Sequence, residues 1–390
     1  MAATGSSGDA KTEWAAIAGV IATVSVFAIA QGLTYPLLSF ILQRQGASSS
    51  LIGLSAAMTP LGYIISAPLI PFFTRRFGAG RTALVCAGLG ILLLALIGWR
   101  QDVWIWFPLR FLLGFAINPL YVLSETWMIT LAPPARRGRI MGVYTAIIAG
   151  GFAVGPLSLT IVGTEGWPPF LVGIGAFSVC AICLALVLPR LPPLHQIGDD
   201  DVSVAGFLPL APMLLFAVMV AAAFEQSTFS LLSVFGTAYG VAETSISALL
   251  TVFIAGNIAL QIPLGMLAER VRPKSVLIGC ALATALGSLL LPILFETPLL
   301  WPLVFFWGAG SYGIYTMALI ELGERFSGSA LIAGNAAFAM FWGVGGIAGP
   351  PATGAVMDWI GVNGLPLMLG LACLGLAAVQ FSRLKRTTGG

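Results

Sequence analysis

Four charged side chains lie inside long apolar stretches of this sequence: Arg110, Glu125, Glu225 and Glu321. A charge at the centre of a bilayer costs at least ~2.5–3.5 kcal/mol on insertion scales, so such residues mark function by default. Because desolvation disfavours the charged form of a carboxyl, an acid there can bind and release a proton in each working cycle. We predict that Glu225 couples protons, with Glu125 as the second candidate and Arg110 as a cation needed for turnover. A structural pair with a basic group is the alternative for Glu125, and Glu321 is expected to form a salt bridge with Arg325, one turn further on.

Polar and aromatic residues accompany these charges at helical spacing. Gly114, Asn118, Tyr121 and Glu125 are four, three and four residues apart, which places them on one helical face. The further candidates for a substrate cavity are Gln31, Tyr35, Gln226, Thr228, Tyr312 and Tyr315. A mixed polar and aromatic lining with few charges suits a small amphipathic solute better than a sugar or a multiply charged metabolite.

The elements that hold these residues are predicted to be membrane helices. Hydrophobic residues make up 58% of the 390 residues and charged residues only 8%, whereas a soluble domain carries about 25% charge. This composition excludes a soluble enzyme, a disordered regulator and a nucleic-acid binder. The five cysteines lie in apolar runs and the single histidine, His195, lies in a loop, so we expect no metal site and no cofactor.

Twelve apolar stretches are long enough to cross a bilayer, which takes about 20 residues per helix. The predicted spans, numbered 1 to 12, are residues 15–42, 49–73, 82–99, 104–131, 139–163, 168–188, 206–237, 244–268, 275–295, 299–322, 329–357 and 364–382. If the N-terminus is cytoplasmic, 15 of the 18 basic residues fall in cytoplasmic segments. The positive-inside rule therefore predicts that both termini are cytoplasmic.

The two halves of the sequence repeat with one offset of 194 residues. Pro108 corresponds in this way to Pro302, and Tyr121 to Tyr315. The pair Gly155-Pro156 corresponds likewise to Gly349-Pro350. We predict an N-terminal six-helix bundle over 1–190, a cytoplasmic linker over 191–204 and a C-terminal six-helix bundle over 205–390. Parallel repeats of this kind are a feature of transporters, in which the substrate site lies near the midplane between the repeats.

Two loops and two helices carry motifs that resemble those of the major facilitator superfamily, and the resemblance covers nearly the whole chain. Residues 265–274 (GMLAERVRPK) resemble the family's loop signature, with Glu269 in place of the usual aspartate. Residues 110–114 (RFLLG) resemble an intramembrane arginine motif, and residues 151–156 (GFAVGP) resemble the G-x-x-x-G-P element of the drug:proton antiporter branch. The loop and gating residues identified in this way are Arg76, Gly78, Arg81, Gly265, Glu269, Arg270 and Lys274. The helix-packing residues are Gly151, Gly155, Pro156, Gly345, Gly349 and Pro350.

The motifs also predict local roles. Glycines four apart let a neighbouring helix approach closely, so we expect helices 5 and 11 to pack across the boundary between the halves. We expect Glu269 and Arg270 to cap helix termini. The resemblance implies an all-α integral membrane protein whose 12 transmembrane helices form two six-helix bundles related by a pseudo-two-fold repeat, with helices 1, 4, 7 and 10 lining the central cavity.

The resemblance further implies a secondary active transporter that moves a small amphipathic solute by alternating access, and we predict proton-coupled export. A proton symporter or uniporter for uptake of a small metabolite is the alternative, and a transport-inactive membrane sensor or scaffold is a remote one. A membrane-embedded enzyme is disfavoured because no nucleophile with a base and no metal set is visible. The expected partners are a small-molecule substrate, protons and the lipid bilayer, without nucleic acid, and the expected state is a monomer in a bacterial inner membrane.

Overall fold

A computed structural model describes residues 6–133, 137–192 and 204–388 of the chain. This described part is wholly helical. The long helices carry the numbers of the predicted spans: α1 (Ser6–Arg44), α2 (Ser49–Ser66), α3 (Ala79–Trp99), α4 (Val103–Leu131), α5 (Arg137–Val162), α6 (Pro168–Val187), α7 (Pro212–Ala238), α8 (Glu243–Arg270), α9 (Pro273–Leu294), α10 (Leu300–Arg325), α11 (Gly328–Ile360) and α12 (Gly364–Thr388). Most of the predicted linker, including His195, lies outside the described residues.

The helices confirm the predicted membrane architecture. Eleven helical segments of the described chain are long and apolar enough to cross a membrane. The twelfth, α11, has 33 residues and contains one charged side chain, Asp358. Each exceeds or approaches the ~20 residues that a bilayer core requires.

Prolines interrupt the second predicted span, 49–73. Behind α2 the chain forms a 3₁₀ turn, Ala67–Leu69, and then a short helix, Ile70–Phe77. Pro68 and Pro71 occupy the first turn of these two segments, where a missing N–H is tolerated, whereas inside a helix each would remove a hydrogen bond. The span is therefore a broken helix rather than a continuous one.

Prolines also shorten the seventh predicted span, 206–237. Its main helix begins at Pro212, and a separate helical turn covers Val204–Phe207. Pro209 lies between the two and cannot donate the backbone hydrogen bond that a continuous helix needs.

The internal repeat is visible in backbone packing. A Cβ atom added to Gly62 on α2 would lie 2.2 Å from the carbonyl oxygen of Phe111 on α4. A Cβ atom added to Gly256 on α8 would lie 1.9 Å from the carbonyl oxygen of Phe305 on α10. Both pairs are separated by the same offset of 194 residues, so both repeats pack these helices together at equivalent glycines.

The chain folds into two compact units that do not follow the helix ends. The first unit contains the chain up to Thr34 and the stretch from Leu61 to the central gap, so it includes α3 to α6. The second unit contains Tyr35–Pro60 together with α7 to α12. The ends of α1 and α2 that flank their connecting loop thus pack with the second repeat; we call Tyr35–Pro60 the α1–α2 hairpin.

Candidate functional site

Polar side chains join α1, α2 and α4 inside the first unit. Gln31 Nε2 donates a hydrogen bond to the hydroxyl oxygen of Tyr63. Asn118 Nδ2 donates to the backbone oxygen of Tyr63 at 3.0 Å and to Ser66 Oγ at 2.9 Å. We call Gln31, Tyr63, Ser66 and Asn118 the first polar cluster. The close approach of α2 and α4 at Gly62 brings the backbone of α2 within reach of the Asn118 amide.

The sequence analysis found two members of this cluster and missed two. Gln31 and Asn118 were predicted as cavity residues on helices 1 and 4. Tyr63 and Ser66 lie on α2, outside the four helices expected to line the cavity. The repeat held a signal for Tyr63, because Asn257, another polar residue in an apolar helix, lies 194 residues further on.

An acid and a tyrosine meet inside the second unit. Glu225 on α7 is 9% exposed, and the hydroxyl of Tyr312 on α10 donates a hydrogen bond to its carboxylate. Rings surround this Glu225–Tyr312 pair: the ring centroid of Phe253 lies 5.7 Å from that of Tyr312. The carboxyl is therefore held by the hydroxyl of Tyr312 beside aromatic side chains.

Two further tyrosines predicted for the cavity make aromatic contacts within their units. The ring of Tyr121 meets that of Phe27 edge to face, with centroids 4.6 Å apart. The ring of Tyr315 meets that of Trp342 in the same way at 4.9 Å. Each unit therefore contains an edge-to-face aromatic pair, a geometry that favours packing against an apolar or planar group.

The remaining cavity candidates of the second unit are buried. Tyr35, Gln226 and Thr228 are at most 8% exposed. Among the described residues, Gln226 Oε1 and Thr228 Oγ1 have no hydrogen-bond partner. An unsatisfied buried acceptor costs free energy, so these two oxygens are suited to bind a polar group of a ligand or a water molecule.

The two charged candidates on α4 differ in their surroundings. Arg110 is fully buried, and so is Val304, the corresponding residue of the second repeat. The buried cation of the first repeat thus has an uncharged counterpart in the second. Glu125 was expected at membrane depth, but its side chain is exposed.

The predicted ion pair at the end of α10 is confirmed. Arg325 Nη1 lies 3.1 Å from Glu321 Oε1, one helical turn away. The arginine is in the last turn of α10, where a cation also interacts favourably with the helix dipole. Glu321 is thus engaged in a local pair with Arg325.

The loop motifs lie at helix ends, but capping by Glu269 and Arg270 is not seen. The residues at the ends of α8 and α9 show no side-chain cap, and both side chains are exposed. Glu269 lies in the last turn of α8, where the unpaired backbone groups are carbonyls that a carboxylate cannot donate to.

Gly78 ends the short helix after α2 with φ +83°, a backbone conformation that favours glycine. Of the remaining loop residues, Arg76 and Arg81 are exposed, and Gly265 and Lys274 are half-buried.

The glycine stripe of α5 packs differently from the expectation. A Cβ atom on Gly151 would lie 2.5 Å from the carbonyl oxygen of Ser25, and one on Gly155 would lie 2.7 Å from that of Ile29. Both contacts are with α1 in the same half of the chain, not across the boundary between the halves. The stripe faces α1 because only glycines allow these two backbones to come so close.

The stripe of α11 makes the corresponding contacts with α7. A Cβ atom on Gly345 would lie 2.3 Å from the carbonyl oxygen of Met219, and one on Gly349 2.7 Å from that of Ala223. Further along, a Cβ atom on Gly53 of α2 would lie 2.2 Å from the carbonyl oxygen of Pro350. At this point a predicted packing residue, Pro350, contacts the other half of the sequence.

The α1–α2 hairpin is held to the second repeat by polar contacts. Asp358, which follows the predicted span 329–357, accepts hydrogen bonds from the backbone N–H groups of Ser49 at 2.8 Å and Ser50 at 2.9 Å. Arg44 Nη1 lies 2.5 Å from Glu243 Oε2. Partial burial tends to raise the pKa of Asp358, but the hydrogen bonds from Ser50 and Ser49 outweigh it and hold that pKa below its usual value.

Comparison with known proteins identifies a matching protein family and relatives of this chain. The family model of the Major Facilitator Superfamily matches residues 20–207 and 214–388. The MFS-type transporter YfkF of Bacillus subtilis (strain 168) is 26% identical over 353 residues, which cover 87% of this chain and 88% of the relative. The MFS-type transporter YcaD of Escherichia coli O17:K52:H18 (strain UMN026 / ExPEC) is 24% identical over 340 residues, which cover 84% and 85% of the two chains.

Solved transporter structures share the fold. A mutant of the nucleoside transporter NupG aligns with a TM-score of 0.81 at 14% identity, over 94% of this chain and 99% of that one. The D-xylose-proton symporter aligns with a TM-score of 0.65 at 18% identity, over 93% and 96% of the two chains. At such identities the likeness concerns the fold alone.

Proposed function

Because the chain belongs to the major facilitator superfamily and is a multi-pass membrane transporter rather than an enzyme, we propose that it exports a small amphipathic solute in exchange for protons. The observation that carries the proposal is the Glu225–Tyr312 pair, a buried acid held by one hydroxyl inside the second unit. Family members carry small molecules; the solute class, the proton and the direction are our inference.

The repeat supports a proton-binding role for Glu225. At the equivalent position in the first repeat, Gln31 also bonds a tyrosine hydroxyl, that of Tyr63. An amide therefore suffices for a structural hydrogen bond at this depth. A carboxyl is costlier to bury than an amide, so its presence in the second repeat is explained by the proton that it can bind.

The solute class follows from buried side chains of the second unit. The edge-to-face ring pair of Tyr315 and Trp342 offers apolar faces, and the buried oxygens of Gln226 and Thr228 offer a few polar contacts. A site with several aromatic groups and few charges favours a solute with one apolar body and one polar or cationic end.

Alternating access is supported by the contacts of the α1–α2 hairpin. Asp358 and Glu243 belong to the second repeat of the sequence, and their partners Ser49, Ser50 and Arg44 to the first. We propose that both termini are cytoplasmic, as the distribution of basic residues predicts, and that these contacts close the outer side. They are few and polar, so they can break and re-form in each cycle.

The proposal is tested with purified protein in liposomes that contain the pH dye pyranine. Ethidium serves as an amphipathic cation and uridine as a polar neutral solute. We expect ethidium transport to be accompanied by proton movement in the opposite direction. Uridine should cause no proton movement. The variant Glu225→Gln should abolish this proton movement while ethidium counterflow without a gradient persists.

Glu296→Gln is the matched control, because it makes the same chemical change at an exposed acid between α9 and α10. It should behave as the wild type. Protons that move with the solute would contradict export and favour uptake by symport. Unchanged proton movement in Glu225→Gln would remove Glu225 as the coupling site and leave Glu125 as the next acid to test.

A further inference from the structure

An apolar groove lies between α8, α9 and α10 in the second unit, with a volume of about 380 Å³. Small residues form its floor, among them Gly279 and Gly310, and Leu260, Leu264 and Phe306 form its walls. A Cβ atom added to Gly279 would meet no heavy atom within 4 Å, so the floor is open. The groove exists because small residues of α9 and α10 lie together beside the leucines of α8.

This groove opens toward the surroundings of the helices rather than into the core. Phe306 is 62% exposed and Leu267 is 45% exposed, although both lie in segments apolar enough to cross a membrane. Large exposed apolar side chains in such segments face lipid tails. Along α8 the groove is lined by Leu260, Leu264 and Leu267, and then by Val271 just beyond the helix end. These positions span about 16 Å at 1.5 Å per residue, a length that suits an acyl chain.

Cations flank, in the chain, the residues that line one end of the groove. Val271 and Ser275 line that end, and in the chain they alternate with Arg270, Arg272 and Lys274. In the described part of the chain none of these three cations forms an ion pair, although Glu269 precedes them. Three cations against one acid at the rim of an apolar groove favour an anionic group attached to a hydrocarbon chain.

We propose that this groove binds one anionic phospholipid, with an acyl chain along α8 and the headgroup phosphate at Arg270, Arg272 and Lys274. The basic end belongs to a loop that we predict to be cytoplasmic, so the lipid comes from the cytoplasmic leaflet.

The test measures lipid binding to the delipidated full-length protein by native mass spectrometry. Phosphatidylglycerol and phosphatidylcholine with the same acyl chains are added separately. We expect one phosphatidylglycerol to bind more tightly than any phosphatidylcholine. Arg272→Gln should weaken this binding by about fivefold, the usual contribution of one cation near an anionic headgroup. Arg75→Gln, an exposed cation of the first unit, should leave it unchanged.

The acyl-chain part has its own variant. Gly279→Phe fills the open floor and should abolish retention of the one phosphatidylglycerol, whereas Gly375→Phe, at an equally open glycine on α12, should not. Glycerol phosphate, the headgroup without chains, should not compete. Equal binding of both phospholipids, retention in Gly279→Phe, or full competition by glycerol phosphate would each overturn the proposal.

Discussion

The two repeats place equivalent polar residues in different bonding patterns. The three positions related by the offset are Gln31, Tyr63 and Asn118 in the first repeat and Glu225, Asn257 and Tyr312 in the second. In both repeats the residue of the first helix bonds a tyrosine hydroxyl, but Tyr63 comes from the second helix of its repeat and Tyr312 from the fourth. The repeat thus conserves a bond between an amide or acid and a phenol, while tyrosine and asparagine have exchanged places.

This exchange separates a fixed region from a titratable one. In the first repeat Asn118 bonds the backbone and a side chain of α2, which fixes α4 to α2 without any ionisable carboxyl. In the second repeat the acid itself takes the phenol hydrogen bond. The buried cation is likewise found in one repeat only, because Arg110 of the first repeat corresponds to the equally buried but uncharged Val304 of the second. The first repeat thus contains the buried cation, and the second contains the buried acid at which we propose proton exchange.

The largest expected effect follows from making the two repeats alike. Glu225→Gln should reduce proton-driven ethidium movement to that of protein-free liposomes, because no group at that depth can then change charge. Gln31→Glu in the same protein should not restore it, since Gln31 bonds a tyrosine of another helix. Recovery of pH-driven transport in the double variant would mean that the repeats are interchangeable at this position.

Replacing the guanidinium of Arg110 is expected to be nearly as severe. Arg110→Lys should lower the initial rate of ethidium counterflow by at least about tenfold, since a point charge cannot reproduce the planar fork of arginine. Val304→Ala is the control at the corresponding buried position. A normal rate in a well-folded Arg110→Lys protein would show that only the charge at this position matters.

The two tyrosines sharpen the comparison further. Tyr312→Phe removes the hydroxyl that donates to Glu225 and should change the pH at which transport is half-maximal. Tyr63→Phe removes the equivalent bond in the first repeat and should leave the pH profile unchanged, at a cost of about 0.5–1.5 kcal/mol in stability. Equal shifts in the two variants would contradict the division into a fixed and a titratable repeat.

The sequence was sufficient for the fold because the signals of membrane helices are strong. Twelve spans, the offset of 194 and the local pair of Glu321 with Arg325 follow from apolar length, self-similarity and helical spacing. The broken second span shows the limit of this approach. Pro68 and Pro71 lie within an apolar run, and the composition of that run alone predicted one continuous helix.

The site was less predictable because its contacts depend on which helices come close. Tyr63 lies on α2, and only the approach of α2 to α4 at Gly62 reveals that it joins Gln31 to Asn118. Glu125 looked buried because its neighbours in the sequence are apolar, yet its side chain is exposed, whereas Trp127 and Met128 further along α4 are buried. Neither fact is encoded in spacing along one helix.

The smallest expected effect concerns the contacts of the α1–α2 hairpin. Asp358→Asn should favour separation of α2 from α11, because it removes a negative charge from the N-terminal end of α2. Such a charge contributes about 0.3–1 kcal/mol, which corresponds to a change of at most about fivefold in a population ratio. Because the pKa of Asp358 is lowered, the contact of its charged carboxylate should persist as pH falls and be lost only below the usual pKa range of aspartate.

Spin labels at Gln45 and Thr244, both exposed, should report two distances in a protein without its native cysteines, and Asp358→Asn should enrich the longer one. Asp102→Asn is the matched control, because Asp102 accepts from the N–H groups of its own helix at Trp104 and Ile105. A single distance in every variant and at every pH would mean that these contacts do not open.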